Sequence, residues 1–279
     1  MKFTSITLII FILSLLSKRA NSCDYQTLPV VDLSAPDAAV NLVDAFQYWG
    51  FSYVKGHNVD QKIIQDAEKH TKKFFQLPSR VKRQLQAQFA DVSKTTRGYT
   101  TFRGEQLDPN GFPGLKEVLD VGFVNRTGPQ RIRNKRHYLG QNKWPANGQD
   151  FQKAIKTYAE YSAELARKVL QLLADGLGVN GAFDNAFNED ALQVQRLTNY
   201  PPSNEINDKV DGQIGSGVHS DYGGITVLYA NGPGLEILRP DKNSSLVDTI
   251  YYIYDMYIKK FIIIVKMRID YNNFRHTYL

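Results

Sequence analysis

The chain predicts an α+β fold. Helical periodicity dominates the first two-thirds and strand alternation the last third. One long apolar stripe, over Asp150–Leu177, is the strongest helix signal in the chain. From Leu192 onward the pattern turns to strands, with Val194, Arg196, Thr198 and Tyr200 on one face. A chain of 279 residues with 42% hydrophobic content fills one large domain with a full core.

Taken in order, Leu28–Leu33 reads as a short strand. Ser34 to Phe46 carries Ala38, Leu42, Val43, Ala45 and Phe46 at helical spacing, with Ser34 or Asp37 as its N-cap. Phe51–Val54 alternates as a strand, and His57 follows in a loop. Gln61–Phe75 is a second helix that ends before Leu77-Pro78, and Ser79–Leu85 a third. Arg97-Gly98-Tyr99 reads as a loop. Lys116–Phe123 alternates as a strand, with Glu117 and Asp120 available to solvent. In the long helix, Phe151, Ile155, Tyr158, Ala159, Leu165, Val169, Leu172 and Leu173 form the buried stripe, and Gly176 and Gly178 stop it.

The net charge is +6, but Lys2, Lys18 and Arg19 lie in the acid-free first 22 residues, and the remainder carries only +3. No Lys/Arg stripe calls for nucleic acid, and Arg131–Arg136 reads as a solvated loop. The single cysteine, Cys23, excludes an intramolecular disulfide and a cysteine-based zinc site. Residues 1–22 have the pattern of a signal peptide: Lys2, the apolar run Phe3–Ser17, then small residues in Ala20-Asn21-Ser22 before Cys23. That run of 15 residues is short for a stable membrane span, which needs about 20. An uncleaved anchor is the competing reading. The expected destination is the secretory pathway or the extracellular space, and the sequons at Asn125 and Asn243 suit that route.

The chemistry concentrates in Val218–Leu228. This stretch reads as a strand with a Gly223-Gly224 turn inside it. On a strand, His219 and Asp221 point the same way and Ser220 points opposite. An imidazole beside a carboxylate makes two legs of a 2-His-1-carboxylate site, whose open positions suit iron(II), O2 and a co-substrate. Alone, a His-x-Asp pair is as readily a surface turn.

In their order and spacing, several stretches together raise that reading. They are Trp49–His57, Phe74–Pro78, Arg97-Gly98-Tyr99, Lys116-Glu117, Asn142–Pro145, the long helix, Tyr200-Pro201-Pro202 and His219/Asp221. With these the chain resembles the non-haem iron(II), 2-oxoglutarate-dependent dioxygenases of the isopenicillin N synthase-like group, from about Leu28 to Arg239. The resemblance implies a double-stranded β-helix (jelly roll) with flanking helices. It implies Fe(II), 2-oxoglutarate as co-substrate, O2 and a small-molecule substrate. It places His219 and Asp221 on the metal and Tyr200 on the co-substrate; Arg97 and Tyr99 lie in a loop that can line a substrate mouth, with a structural turn as the equal alternative. The family often has Asn where this chain has Thr198, and its loop histidine at the place of His57 is not a ligand. His70 and His137 read as surface, and Tyr222 as packing.

These readings divide the chain into a signal peptide (1–22), an N-terminal helical and strand region of the dioxygenase (23–185), the start of the iron-binding jelly roll (186–239) and a non-family tail (240–279). Leu246–Leu279 contains no Gly, Pro or Ala, and 22 of the 30 residues in Ile250–Leu279 are Ile, Tyr, Lys, Asn, Phe or Met, types with A/T-rich codons. The expectation is a jelly roll incomplete at its C-terminus, with a tail translated from intron or out-of-frame sequence. His276 stands 55 residues after Asp221, near the family spacing for the third ligand, and is the candidate second imidazole. Its surroundings do not match the family, so coincidence of spacing stays open. On this reading the chain is catalytically dead or nearly so, and a secreted non-catalytic pseudoenzyme or ligand-binding jelly roll is the alternative.

Overall fold

The structure is a computed structural model that describes residues 28–86, 97–123, 141–184, 193–219, 221, 224–232, 234–238, 250–252 and 261–265. The signal segment 1–22, Cys23, both sequons, Arg131–Arg136, His137, Ser220, Tyr222 and His276 lie outside the described residues.

Strand β1 (Val30–Asp32) leads through helix α1 (Ala38–Tyr48) to β2 (Phe51–Lys55), which runs parallel to β1. Asp37 is the N-cap residue of α1, without a capping side-chain bond. Helix α2 (Gln61–Phe75) starts at Asp60, whose side chain accepts from the Lys62 N–H at 2.8 Å. A short helix α3 (Ser79–Arg83) follows. Strands β3 (Gly98–Thr100), β4 (Glu117–Phe123) and β5 (Gln193–Asn199) form an antiparallel sheet with β4 in the middle. Helix α4 (Gln149–Leu177) connects β4 to β5. Strand β6 (Ile225–Tyr229) then joins the first sheet, and β7 (Glu236–Leu238) pairs with β8 (Ile250–Tyr252). Strand β9 (Phe261–Val265) lies between β2 and β6, antiparallel to both.

The core forms where α1, α2 and α4 meet these sheets. Leu42, Ile64, Leu119, Ile155, Val169 and Leu173 are all fully buried there. Phe74 of α2 stacks on Phe151 of α4 at 5.3 Å between ring centres, and Trp144 meets Phe151 edge-on. The end of α4 differs from expectation in one respect. Gly176 does not stop the helix. It lies inside it, where a Cβ would stand 2.5 Å from the Ala39 carbonyl oxygen of α1, so glycine lets the two helices approach. Gly178 alone is the terminator, at φ +68° in the left-handed region.

Three further expectations are corrected. Glu117 and Asp120 are buried, because β4 is a central strand and cations brought by distant segments meet both carboxylates. Arg97-Gly98-Tyr99 is not a loop; Gly98 and Tyr99 belong to β3, paired with Asp120 and Leu119 of β4. His70 is not freely exposed: its ring is 17% exposed and lies 3.5 Å from Asp66, one turn away on α2.

Candidate metal centre

His219 and Asp221 are brought together, but not by a strand. Regular pairing begins at Ile225, opposite Val265 of β9, so the two residues precede β6 rather than belonging to it. The alternation argument therefore fails in its geometry, although the two side chains still meet. His219 Nε2 stands 3.6 Å from Asp221 Oδ1. Each side chain has a bond of its own on the far side. The His219 Nδ1 atom lies 2.8 Å from the Gly217 carbonyl, a contact it makes as an N–H donor. That tautomer leaves Nε2 as the lone-pair nitrogen. The Thr226 hydroxyl donates to Asp221 Oδ2 at 2.6 Å, which leaves Oδ1 facing the imidazole.

This donor set fits iron(II). An imidazole nitrogen and a carboxylate oxygen converge from one side, both partly exposed, and each is oriented by an outer hydrogen bond as metal ligands usually are. Among the described residues no three His, Cys, Asp or Glu side chains gather as a complete metal site.

The loop that delivers His219 is braced by the loop between β3 and β4. The Leu115 N–H donates to Ile214 O at 3.0 Å, and buried Gln213 donates to Pro113 O at 2.9 Å. Arg103 binds Asp208 through two nitrogens, at 2.6 and 3.0 Å. Under this brace lies a network of four charges. Arg196 of β5 is bidentate on Asp120 at 2.9 Å on each arm, and its third nitrogen reaches Glu105 at 3.0 Å. Lys116 Nζ binds Glu105 Oε2 at 2.8 Å and donates to the Ser216 hydroxyl at 3.1 Å. Burial works to raise the Glu105 carboxyl, but its bonds to Lys116 and Arg196 outweigh that and hold it below its ordinary value. For Asp120 burial wins, and its carboxyl is raised.

Tyr200 follows directly after β5. It is 54% exposed, and its ring packs against Gly215, where a Cβ would come within 2.8 Å. Partial burial of the phenol raises it above its ordinary value, with Arg196 and a hydrogen bond from Ser216 working the other way. Thr198 occupies the position two residues earlier. The adjacent Asn199 instead donates to Glu117 Oε1 at 3.0 Å.

Arg97 and Tyr99 are not at an open mouth. Tyr99 is 3% exposed, and its hydroxyl donates to Glu117 Oε2, the same oxygen that Lys82 of α3 binds at 2.6 Å. Burial, then the Glu117 carboxylate, push its phenol well up. Arg97 is 7% exposed and lies across the Cα of Gly122, where a Cβ would fall 2.0 Å from Nε. Burial lowers its guanidinium, and Asn142 accepts from it at 3.5 Å. His57 is also away from the metal pair in role: its Nδ1 accepts from the Val59 N–H at 3.0 Å. The residues that the sequence reading missed are Glu105, Ser216, Gly217 and Thr226. Only Thr226, inside the apolar run after Gly224, carried a visible polar signal.

Comparison with known proteins identifies the family. A family model described as non-haem dioxygenase in morphine synthesis, N-terminal, matches residues 28–147. The 2-oxoglutarate-dependent dioxygenase citB of Monascus ruber is 30% identical over 226 residues, covering 75% of this chain and 67% of its own length. A homoarginine-6-hydroxylase of Arabidopsis thaliana is 30% identical over 222 residues, covering 74% of this chain and 65% of its own. A solved structure of a 2OG-Fe(II) oxygenase family protein from Caulobacter crescentus shares the fold with a TM-score of 0.67 at 26% identity, over 86% of this chain and 73% of that one. The chain belongs to the non-haem iron(II), 2-oxoglutarate-dependent dioxygenases. It spans about two thirds of the length of these two curated relatives.

Proposed function

We propose that this chain is an iron(II)- and 2-oxoglutarate-dependent oxidoreductase that acts on a small organic molecule, built on the jelly roll of its family. The observation that carries the reading is the convergence of His219 Nε2 and Asp221 Oδ1 at 3.6 Å, with the opposite atom of each side chain held by its own hydrogen bond. With iron(II) bound, 2-oxoglutarate and O2 would supply oxidation of an unactivated C–H bond, with succinate and CO2 as co-products. The protein's own part is to hold and orient. His219 and Asp221 are two of three ligands. The Gly217 carbonyl fixes the imidazole tautomer, and Thr226 fixes the carboxylate. Tyr200 keeps its proton across the neutral range and offers its hydroxyl to the co-substrate. Exposed Ile214, Val218 and Tyr200 give the approach an apolar rim.

His276 is the sequence's candidate for the second imidazole. The secretory route, with cleavage before Cys23, rests on the pattern of residues 1–22. No helix among the described residues is long and apolar enough to cross a membrane.

Anaerobic titration of the full chain with iron(II) tests the reading. One site is expected, abolished by His219→Ala and by Asp221→Ala; unchanged binding in either variant refutes the assignment. Succinate formation from 2-oxoglutarate tests turnover, and its loss in His276→Ala identifies the third ligand. Turnover unaffected by that change removes His276 from the site. Mass spectrometry of the secreted product should find a mature start near Cys23, and an intact Met1 on a cytosolic product overturns the route.

A further inference from the structure

Lys116 has an unusual place in the charge network. Its side chain is almost wholly buried beside Glu105, a carboxylate that it shares with Arg196. Arg196 already contacts both Glu105 oxygens, at 3.0 and 3.2 Å. A second buried cation is a poor source of stability, because desolvation offsets most of the attraction. The contact that Lys116 alone provides is the 3.1 Å bond to the Ser216 hydroxyl.

Ser216 is a branch point. Its hydroxyl receives the ammonium, and the residue before it, Gly215, packs against the Tyr200 ring. The next residue, Gly217, supplies the carbonyl on His219 Nδ1. Gly217 itself is pressed against Asp108 of the bracing loop, where a Cβ would stand 3.0 Å from the Asp108 Cβ. The segment from Ser216 to His219 is not part of a strand, so it has no ladder to fix it. Side-chain bonds must do so.

We propose that Lys116 is a positioning residue of the metal site: its ammonium, anchored on Glu105, holds Ser216, and through Ser216 the following carbonyl that orients His219. The inference rests on the metal-site reading above. It assigns Lys116 no contact with the metal or substrate. Loss of a partner bonded directly to a ligand weakens metal binding by roughly 10–100-fold; Lys116 acts one step further out, so the lower end applies.

The test uses the full chain, anaerobic, with cobalt(II) as an absorbing probe and with iron(II), alongside thermal melts by circular dichroism. The variants are Lys116→Met, Ser216→Ala and Ser216→Thr. Lys116→Met is expected to bind cobalt(II) roughly tenfold more weakly than wild type. Ser216→Ala should follow it in direction, and Ser216→Thr, which keeps the hydroxyl, should recover the wild-type value. A fold defect alone would lower the melting temperature without recovery in the threonine variant. Cobalt(II) binding within twofold of wild type in both Lys116→Met and Ser216→Ala overturns the proposal and leaves the metal site standing. Should Lys116→Met fail to fold, the two Ser216 variants decide the matter. A folded wild-type chain that binds neither metal overturns the site and this inference together.

Discussion

Replacement of Lys82 by Met tests the account of the buried carboxylate on β4. Lys82 Nζ donates to Phe75 O at 2.8 Å and to Glu117 Oε2 at 2.6 Å, with side chains only 7% and 8% exposed. The ammonium also lies 5.9 Å and 5.6 Å from the ring centres of Phe75 and Tyr99. Methionine fills a similar volume, so little cavity is created. What remains is a buried carboxylate without its cation. Breaking one side of such a pair costs about 3–5 kcal/mol. Glu117 keeps two neutral donors, Tyr99 and Asn199, which places the expected loss at the lower end, about 3 kcal/mol. Glu117→Gln should cost a similar amount by stranding the ammonium. The double variant should be less damaged than the sum, with a coupling inside the roughly 0.5–3 kcal/mol range of contacting pairs. Equilibrium urea unfolding, followed by Trp49 and Trp144 fluorescence, measures all three. A Lys82→Met loss below about 1 kcal/mol, or strict additivity, would refute the reasoning, because it would mean that water or another group solvates Glu117.

Two other predictions are independent of the metal. Gly176→Ala gains up to about 1 kcal/mol of helix propensity but drives a Cβ against the Ala39 carbonyl of α1, and overpacking of about 1–3 kcal/mol should win; a urea midpoint at or above wild type would contradict the close approach. His57 has its imidazole lowered by burial and, secondarily, by Lys168, and its Nδ1 accepts a backbone N–H only when unprotonated. Its folded value lies below the unfolded one, so its stabilisation is complete above about pH 6.5 and is lost as pH falls through the folded value. His57→Asn, which keeps an acceptor for Val59, should flatten the difference in urea midpoint between pH 7.5 and pH 5.5, and an unchanged difference would assign that slope elsewhere.

The parts of the fold that were legible in the sequence are those set by local period. The stripe of α4 and the bounds of α2 depend on neighbours within a turn or two, and both fall where the pattern puts them. The misreadings share a physical origin. Glu117 and Asp120 look solvated because alternation presumes an open face, yet their partners Lys82 and Arg196 come from 35 and 76 residues away. Gly98 suggested a loop, but β4 recruits it into a ladder. At the metal pair the residue types were readable, because imidazole and carboxylate carry their chemistry with them. The outer bond from Gly217 was not, since a backbone carbonyl has no signature in sequence, while Thr226 showed only as a polar residue in an apolar run.

The tail sets local composition against backbone pairing. Its A/T-rich vocabulary reads as foreign to the family, and no Gly or Pro marks a turn in it from Leu246 onward. Composition of that kind is nonetheless what a central strand uses. Phe261-Ile262-Ile263-Ile264-Val265 is β-branched or aromatic throughout. In the structure it takes the one place where β2 and β6 would otherwise both end in open edges, with Ile263 opposite Ser52 on one side and Val227 on the other. A strand paired on both sides uses every N–H, so Ile263→Pro must remove one ladder bond and strand its acceptor, at about 1–3 kcal/mol before any steric clash. Hydrogen exchange reads this directly: amides of Phe51–Val54 and Ile225–Tyr229 should lose protection in the proline variant, while β4, in the other sheet, keeps its own. Equal protection of both strands in Ile263→Pro and wild type would mean that the tail is an appendage to a sheet already closed without it.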